Sequence, residues 1–200
     1  GVYEIVIAPS NTNRFYMYYT DGCIYTTTNK GSNWTKTGFS CITVDANSTS
    51  TKFMGPYMVV DPANELKVYT STQGFGIYFS INGGTSWTQI STGTIPAGTS
   101  NRGHVFAFDP TSSVSGGFTQ GIYATSYGTG VYHSTDGGAN WSLLNSAGMP
   151  TTHAHIIVDA TGVVWLTDSS TAPGQGKLNR YLSSTWSAMG APVTQSGAHA

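Results

Sequence analysis

Charge is scarce in this chain. Only 8% of its residues are charged, and eight Lys plus Arg set against nine Asp plus Glu leave a formal net charge of -1. So few cations cannot line a phosphate backbone, which excludes nucleic acid as an expected partner. Long apolar runs are missing as well. Pieces such as "HIIV" at 155–158 fall far short of the about 20 residues of a membrane-spanning helix. No window sustains a helical period, so helices are not expected. No leader with a basic start and an apolar stretch opens the chain. It begins with Gly rather than Met, which reads as a processed, trimmed or partial chain. Gly, Ser and Thr stand where Lys and Glu usually do. Solubility then comes from hydroxyls and amides, a style of secreted proteins, and a secreted or extracytoplasmic location is expected.

Cysteine is almost absent too. Cys23 and Cys41 are the two present. Outside the cell they could close one disulfide; as two buried thiols they would serve equally well. Neither lies in a CxxC pair or beside a His, so no metal site is expected, and nothing calls for a cofactor. Glycosylation sequons fall at Asn33, Asn47 and Asn140, two of them inside a repeated motif that explains them without a glycan.

That motif is what the sequence has in abundance. "TTNKGSNW" ends at Trp34, "SINGGTSW" at Trp87 and "STDGGANW" at Trp141. A Tyr precedes each Trp by nine residues (Tyr25, Tyr78, Tyr132), and another lies nine residues earlier (Tyr16, Tyr69, Tyr123). Upstream stands an apolar segment ending in a turn: "VIAPS", "MVVDP", "FAFDP" and, in a fourth copy, "IIVDA". The period of roughly fifty residues is that of propeller blades. Within each copy, β-branched and aromatic residues alternate with polar ones between Gly-rich turns.

The expected fold is therefore all-β: four consecutive four-stranded antiparallel blades, at approximately 1–42, 53–96, 103–148 and 153–192. In the second copy, strand A is expected near 57–61, B near 67–72, C near 76–80 and D near 87–91. The quoted motif joins C to D. Its Asp or Asn accepts hydrogen bonds from its own turn, and its Gly permits positive φ. Asn29, Asn82 and Asp136 are thus turn formers, and the three Trp residues belong to the core. The fourth copy keeps Trp186 but loses the Ser, Asp and Gly. Four blades are the fewest that close a propeller. The pattern suits a larger ring, completed by a missing domain or by a partner chain.

Topology assigns the loops to two rims. A–B and C–D turns share one, with minimal loop length. B–C turns and the long D–A linkers share the other, and long loops on a rigid scaffold are where binding concentrates. Asp21 falls where the other B–C turns have Gly74 and Gly128, and a broken local rule is often functional. Asp168 lies in the equivalent turn of the fourth copy, and Glu4 begins an innermost strand. His104 and His155 sit at strand A entries, Tyr57 occupies the same place in the second copy, and Arg102 is close by. Tyr19, Phe75 and Tyr127 decorate the B–C turns, where they could stack on sugar rings or be buried between blades. Solvated turn acids and polar filling of a channel remain the plainer readings of the charged residues.

The S-x-D-x-G-x-x-W motif is the Asp-box (BNR repeat), shared by several propeller families. Three stretches resemble one of them, the xyloglucan-cleaving glycoside hydrolases. "FYMYYTDGCIY" is similar to their first-blade "YARTDxGGxY" segment. "MVVDPANELKVYTSTQGFGIYFSINGGTSW" resembles their following blades, and "HAHIIVDATGVVWLTDSSTAPGQGKLNRYLSSTWSAM" a later one. The resemblance covers essentially the whole chain. It implies inverting, endo-acting hydrolysis of β-1,4-glucans in a cleft between two propellers, with Asp21 as one of two catalytic carboxylates. It implies a polysaccharide on the rim that carries Tyr19, Tyr57, Phe75, Arg102, His104, Tyr127, His155 and Asp168. Inversion needs carboxyl groups roughly 6.5–9.5 Å apart, one protonating the leaving oxygen and one activating water. In the family the second acid comes from the other propeller. This chain departs from the motif at Cys23, which replaces its second Gly. A non-catalytic sugar-binding or assembly module is the alternative. A sialidase is disfavoured, because its Arg cluster is not available among so few cations.

Overall fold

The computed structural model of the chain describes residues 1–44, 55–98, 102–144, 147–167 and 177–189. Among the described residues every regular element is a strand. The first sheet holds β1 (Val2–Ile7), β2 (Phe15–Tyr19), β3 (Ile24–Thr27) and β4 (Thr35–Lys36), in that order. The second repeats the pattern with β5 (Met58–Asp61), β6 (Asn64–Thr72), β7 (Gly76–Ser80) and β8 (Thr88–Gln89). In the third, β9 (Phe106–Phe108) is followed by a separate hairpin of β10 (Val114–Ser115) and β11 (Phe118–Thr119). The sheet resumes with β12 (Ile122–Ser126), β13 (Gly130–Ser134) and β14 (Ser142–Leu143). The fourth holds β15 (Ile156–Val158), β16 (Val164–Thr167), β17 (Leu178–Leu182) and β18 (Thr185–Met189). All ladders are antiparallel, and each four-stranded sheet is a propeller blade.

Period-two alternation makes each blade two-faced. One face of blade one, with Tyr16, Tyr18 and Ile24, meets Met58, Val60 and Val68 of blade two. The other face of blade two, with Tyr69 and Ile77, meets Phe106, Ile122 and Tyr132 of blade three. Val105, Tyr123 and Val131 of blade three then meet Ile156, Val164 and Leu166 of blade four. The repeated Tyr of the second strand has a further task. The Tyr16 hydroxyl donates to the Glu65 carbonyl at 2.7 Å, and that of Tyr69 to the Gly137 carbonyl at 2.6 Å, so each clasps the following blade.

The repeated motif closes the β3–β4, β7–β8 and β13–β14 connections with one set of bonds. In blade three the Ser134 hydroxyl donates to Asp136 Oδ1 at 2.8 Å and accepts the Gly138 N–H at 2.8 Å. Asp136 Oδ1 also accepts the Asn140 N–H at 2.8 Å. Asn82 does the same for Ser86 at 3.0 Å, and Asn29 for Asn33 at 2.9 Å. The Trp141 indole donates to the Gly138 carbonyl at 3.0 Å, which seats the ring over the turn. Gly138 has φ 85°, and the Tyr69 hydroxyl occupies the space a Cβ would need. The turn is thus also a docking point for the preceding blade.

Two loops differ from expectation. The A–B turns are not uniformly short: blade three carries the β10–β11 hairpin there. Thr119 fastens it to blade two, its hydroxyl and N–H donating to the buried Asp61 carboxylate at 2.6 and 3.0 Å. Asp61 is therefore an interblade anchor as well as a turn former. In blade four the eight-residue motif is replaced by a two-residue turn, Ser183 and Ser184, between paired Leu182 and Thr185. Both serines have positive φ, 50° and 61°, the geometry of a hairpin turn that Asn-Gly adopts more readily.

Two stability outcomes are expected. Asp136→Ala strands the Asn140 and Ser134 donors and costs about 1–2 kcal/mol in urea unfolding, whereas Asp136→Asn, the residue type of blades one and two, costs less than half as much. Replacing Ser183-Ser184 by Asn-Gly relieves left-handed strain and raises Tm by about 2–4 °C in a thermal melt.

Candidate functional site

The rim opposite the repeated turns carries the B–C turns and D–A linkers. Asp21 and Asp136 lie on opposite rims, at the two ends of the third strand of their blades. The β2–β3 turn closes with the Gly22 N–H donating to the Tyr19 carbonyl at 2.9 Å. Asp21 does not take over the left-handed conformation of Gly74 and Gly128; Gly22 does, with φ 87°. A Cβ on Gly22 would lie 2.5 Å from the Thr43 nitrogen, so the linker presses directly on the turn. The Cys23–Cys41 disulfide ties turn and linker together covalently.

Within this clamp the Asp21 carboxylate is exposed yet held. Oδ1 accepts the Cys23 N–H at 2.8 Å, and Oδ2 accepts the Tyr25 hydroxyl at 3.0 Å. That hydrogen bond is the first cause of the raised Tyr25 pKa. Tyr19 meets the Tyr25 ring edge-on at 6.3 Å between centroids. Tyr19, Asp21 and Tyr25 thus form one group. Tyr25 was not singled out from the sequence, because the repeat marks it as a core position. Its reach back across a four-residue hairpin is the signal that could have found it.

Phe75 tops the blade-two turn, 56% exposed, with the Gln89 amide donating to its carbonyl at 2.6 Å. In blade three the Arg102 guanidinium lies 3.9 Å from the centroid of the half-buried Tyr127 ring, a cation–π pair. The rim therefore presents aromatic or aromatic-cation groups on three successive blades.

Other sequence candidates go elsewhere. Tyr57 is buried, its ring stacked on Tyr3 at 5.7 Å, and packing takes it out of contact with solvent. His104 is fully buried, with Nε2 2.7 Å from the Pro96 carbonyl and Nδ1 3.3 Å from the Ser71 hydroxyl. Burial lowers its pKa to about 4 and keeps it neutral. The half-buried His155 has Nδ1 2.9 Å from the Gly55 carbonyl, a bond from blade four to the entry of blade two. His153, not singled out from the sequence, is fully buried beside Tyr127, and its pKa falls to about 3, first through burial. Asp168 lies outside the described residues. Among the described residues no group of three or more His, Cys, Asp or Glu could hold a metal ion.

Glu4 has an unexpected environment. It sits in β1 with its carboxyl turned to blade two, where the Tyr57 N–H lies 3.1 Å from each oxygen. Burial raises its pKa from 4.5 to about 8, against backbone hydrogen bonds from Tyr57 and Met58 that lower it. It is a proton-carrying interblade link at neutral pH. The remaining described carboxylates, Asp61, Glu65, Asp109, Asp136 and Asp159, are engaged at the opposite rim. Among the described residues, Asp21 is the exposed carboxylate of the rim opposite the repeated turns.

No family model matches the chain. A protein called xyloglucanase from Paenibacillus sp is 30% identical over 195 residues, 85% of this chain and 19% of that protein. Another of the same name, from Hypocrea jecorina (strain QM6a), is 28% identical over 213 residues, 93% of this chain and 25% of that protein. The chain thus spans a fifth to a quarter of the length of these relatives. The crystal structure of the Niastella koreensis GH74 enzyme superposes with a TM-score of 0.77 at 26% identity, over 98% of this chain and 31% of that one. The chain is a segment of β-propeller similar to GH74 xyloglucanases.

The Glu4 proton makes a pH signature. Its folded pKa lies above the unfolded one, so the folded state binds more protons between about pH 4.5 and 8, and stability falls as pH rises through that window. Glu4→Gln keeps an acceptor for the Tyr57 N–H without the titration. Its Tm is expected to match wild type near pH 5 and to exceed it near pH 8, read by calorimetry in matched buffers.

Proposed function

We propose that the chain forms part of the glycan-binding cleft of a xyloglucanase-like hydrolase, laying an extended β-glucan along the rim that carries Asp21. The observation that carries this reading is the construction around Asp21. A turn that resembles the first-blade catalytic segment of that family holds its carboxylate by a backbone N–H, a Tyr hydroxyl and a disulfide-tied linker. Preorganisation of this kind serves a group that must meet substrate in one orientation. Tyr19, Phe75 and the Arg102–Tyr127 pair supply stacking faces for sugar rings on blades one, two and three.

Asp21 acts in this reading as one of two carboxylates of an inverting pair. The second comes from outside the described residues, since the remaining described acids are buried or engaged on the far rim. A non-catalytic binding module is the second reading, and that same engagement of the other acids favours it for this chain taken alone.

The chain alone is expected to bind xyloglucan without cleaving it. Affinity electrophoresis in xyloglucan gels should show retardation, weakened about fivefold each by Tyr19→Ala and Phe75→Ala, a loss of about 1 kcal/mol per stacking face. Reducing-sugar release should stay at background. Turnover that disappears in Asp21→Ala would overturn the module reading, and unretarded migration of wild type would overturn both.

A further inference from the structure

His153 is a buried titratable group that the glycan reading leaves unused. It lies in the linker from blade three to blade four and is 0% exposed. Neither of its ring nitrogens has a hydrogen-bond partner among the described residues. The neighbouring imidazoles differ. His104 has Nε2 on the Pro96 carbonyl and Nδ1 beside the Ser71 hydroxyl, and His155 reaches the Gly55 carbonyl. Around His153, Tyr127 meets the ring edge-on with centroids 5.7 Å apart, and the Arg102 guanidinium lies 3.9 Å from the centroid of that tyrosine. The charged groups that act on His153 are His104 and Arg102, both basic. An imidazolium in this place would have no protein acceptor for either N–H, no counter-ion, and a guanidinium close by. A charge buried without a partner is the costliest kind of burial.

The segment that carries His153 is lightly held. Ala147, Gly148 and Thr151 are exposed. A backbone bond from the Gly128 N–H to the Thr151 carbonyl, at 2.8 Å, fastens it to the β12–β13 turn, and Met149 lies against Gly130 of the same hairpin. Exposed backbone with few bonds belongs to the low end of local stability. The corresponding linker of blade one is tied down covalently, because Cys41 is bonded to Cys23.

We propose that residues 147–153 form an acid-released strap: His153 takes up a proton only by leaving its buried place, so the strap lifts from the β12–β13 turn as the solution is acidified. Tyr127 then loses the ring at its edge, and the Arg102–Tyr127 face of blade three loses its support. The sign follows from burial, the first cause that lowers the His153 pKa from 6.5 to about 3. The closed strap binds fewer protons than the open one between those values, so closure is fully present above about pH 6.5 and weakens as pH falls through the window. This is opposite to the trend set by Glu4. One proton per opening raises the opening constant about tenfold for each pH unit inside the window.

The Gly128 amide reports the strap, because its acceptor lies on it. Its hydrogen exchange, read by NMR and corrected for the intrinsic rate, is expected to lose protection about tenfold from pH 5.5 to pH 4.5. His153→Phe keeps a ring against Tyr127 without a proton to gain, and its Gly128 protection should stay level over the same range. His153→Leu repeats the test with a smaller side chain. Wild-type protection that does not change between pH 6.5 and 4.5 would sink the proposal. So would an equal acid loss in both variants, or a His153 imidazole that titrates near pH 6.5 while Gly128 stays protected. Retardation in xyloglucan gels adds a readout that rests on the proposed function: it should weaken at pH 4.5 for wild type and hold for His153→Phe. Acid loss of Gly128 protection in a chain that is unretarded even at pH 7 would support the strap and reject the glycan reading alone.

Discussion

A four-stranded sheet with apolar residues on both faces cannot stand alone in water. Each blade here is a thin plate whose outer strand is only two residues long in three of the four copies. Burial of its two faces against neighbours supplies the stabilisation its own ladders cannot. The remaining features serve that stacking. Tyr16 and Tyr69 cross from one blade to the next, Asp61 reaches the inserted hairpin of blade three, and the turn at Gly137–Gly138 receives both Tyr69 and Lys67 from blade two. The same requirement explains why Glu4 is tolerated. A carboxyl that keeps its proton can sit between blades and accept a backbone N–H at little electrostatic cost.

Stacking also divides labour between the rims. One rim carries staples and clasps: among the described residues, Asp61, Asp136 and Asp159 bond within their own turns or to the next blade. The other rim carries linkers that cross between blades, and these can differ without disturbing the sheets. Asp21 stands on it with two of its acceptor sites used for positioning and the rest open to solvent. A rigid edge set against a variable one lets a repeat scaffold vary its loops without loss of its core.

Not all candidates at the strand entries share that openness. Tyr57 and His104 belong to the inner ends of blades two and three, where successive entries crowd toward the axis. Their polarity is satisfied inward, by Glu4 and Tyr3 around Tyr57 and by Ser71 and Pro96 around His104. A polar residue at the head of an inner strand looks the same in sequence whether it faces a channel or a neighbour. The distinction depends on how closely the entries approach, which is a property of the packed ring.

The repeat was legible in the sequence because its causes are local. The Ser, Asp or Asn, Gly and Trp of each turn bond one another within eight residues, and the alternation of each strand declares its own two faces. Blade count, strand order and the assignment of loops to rims follow from those alone. The Cys23–Cys41 bond, the positive φ at Gly22 instead of position 21, the buried proton of Glu4 and the hairpin within blade three were decided by tertiary structure. Each depends on a partner distant along the chain or on a neighbouring blade, as Asp61 depends on Thr119. Periodicity records what a residue does within its own sheet. What lies against the face of that sheet, and so whether a carboxyl is wet or dry, is settled only when the blades meet.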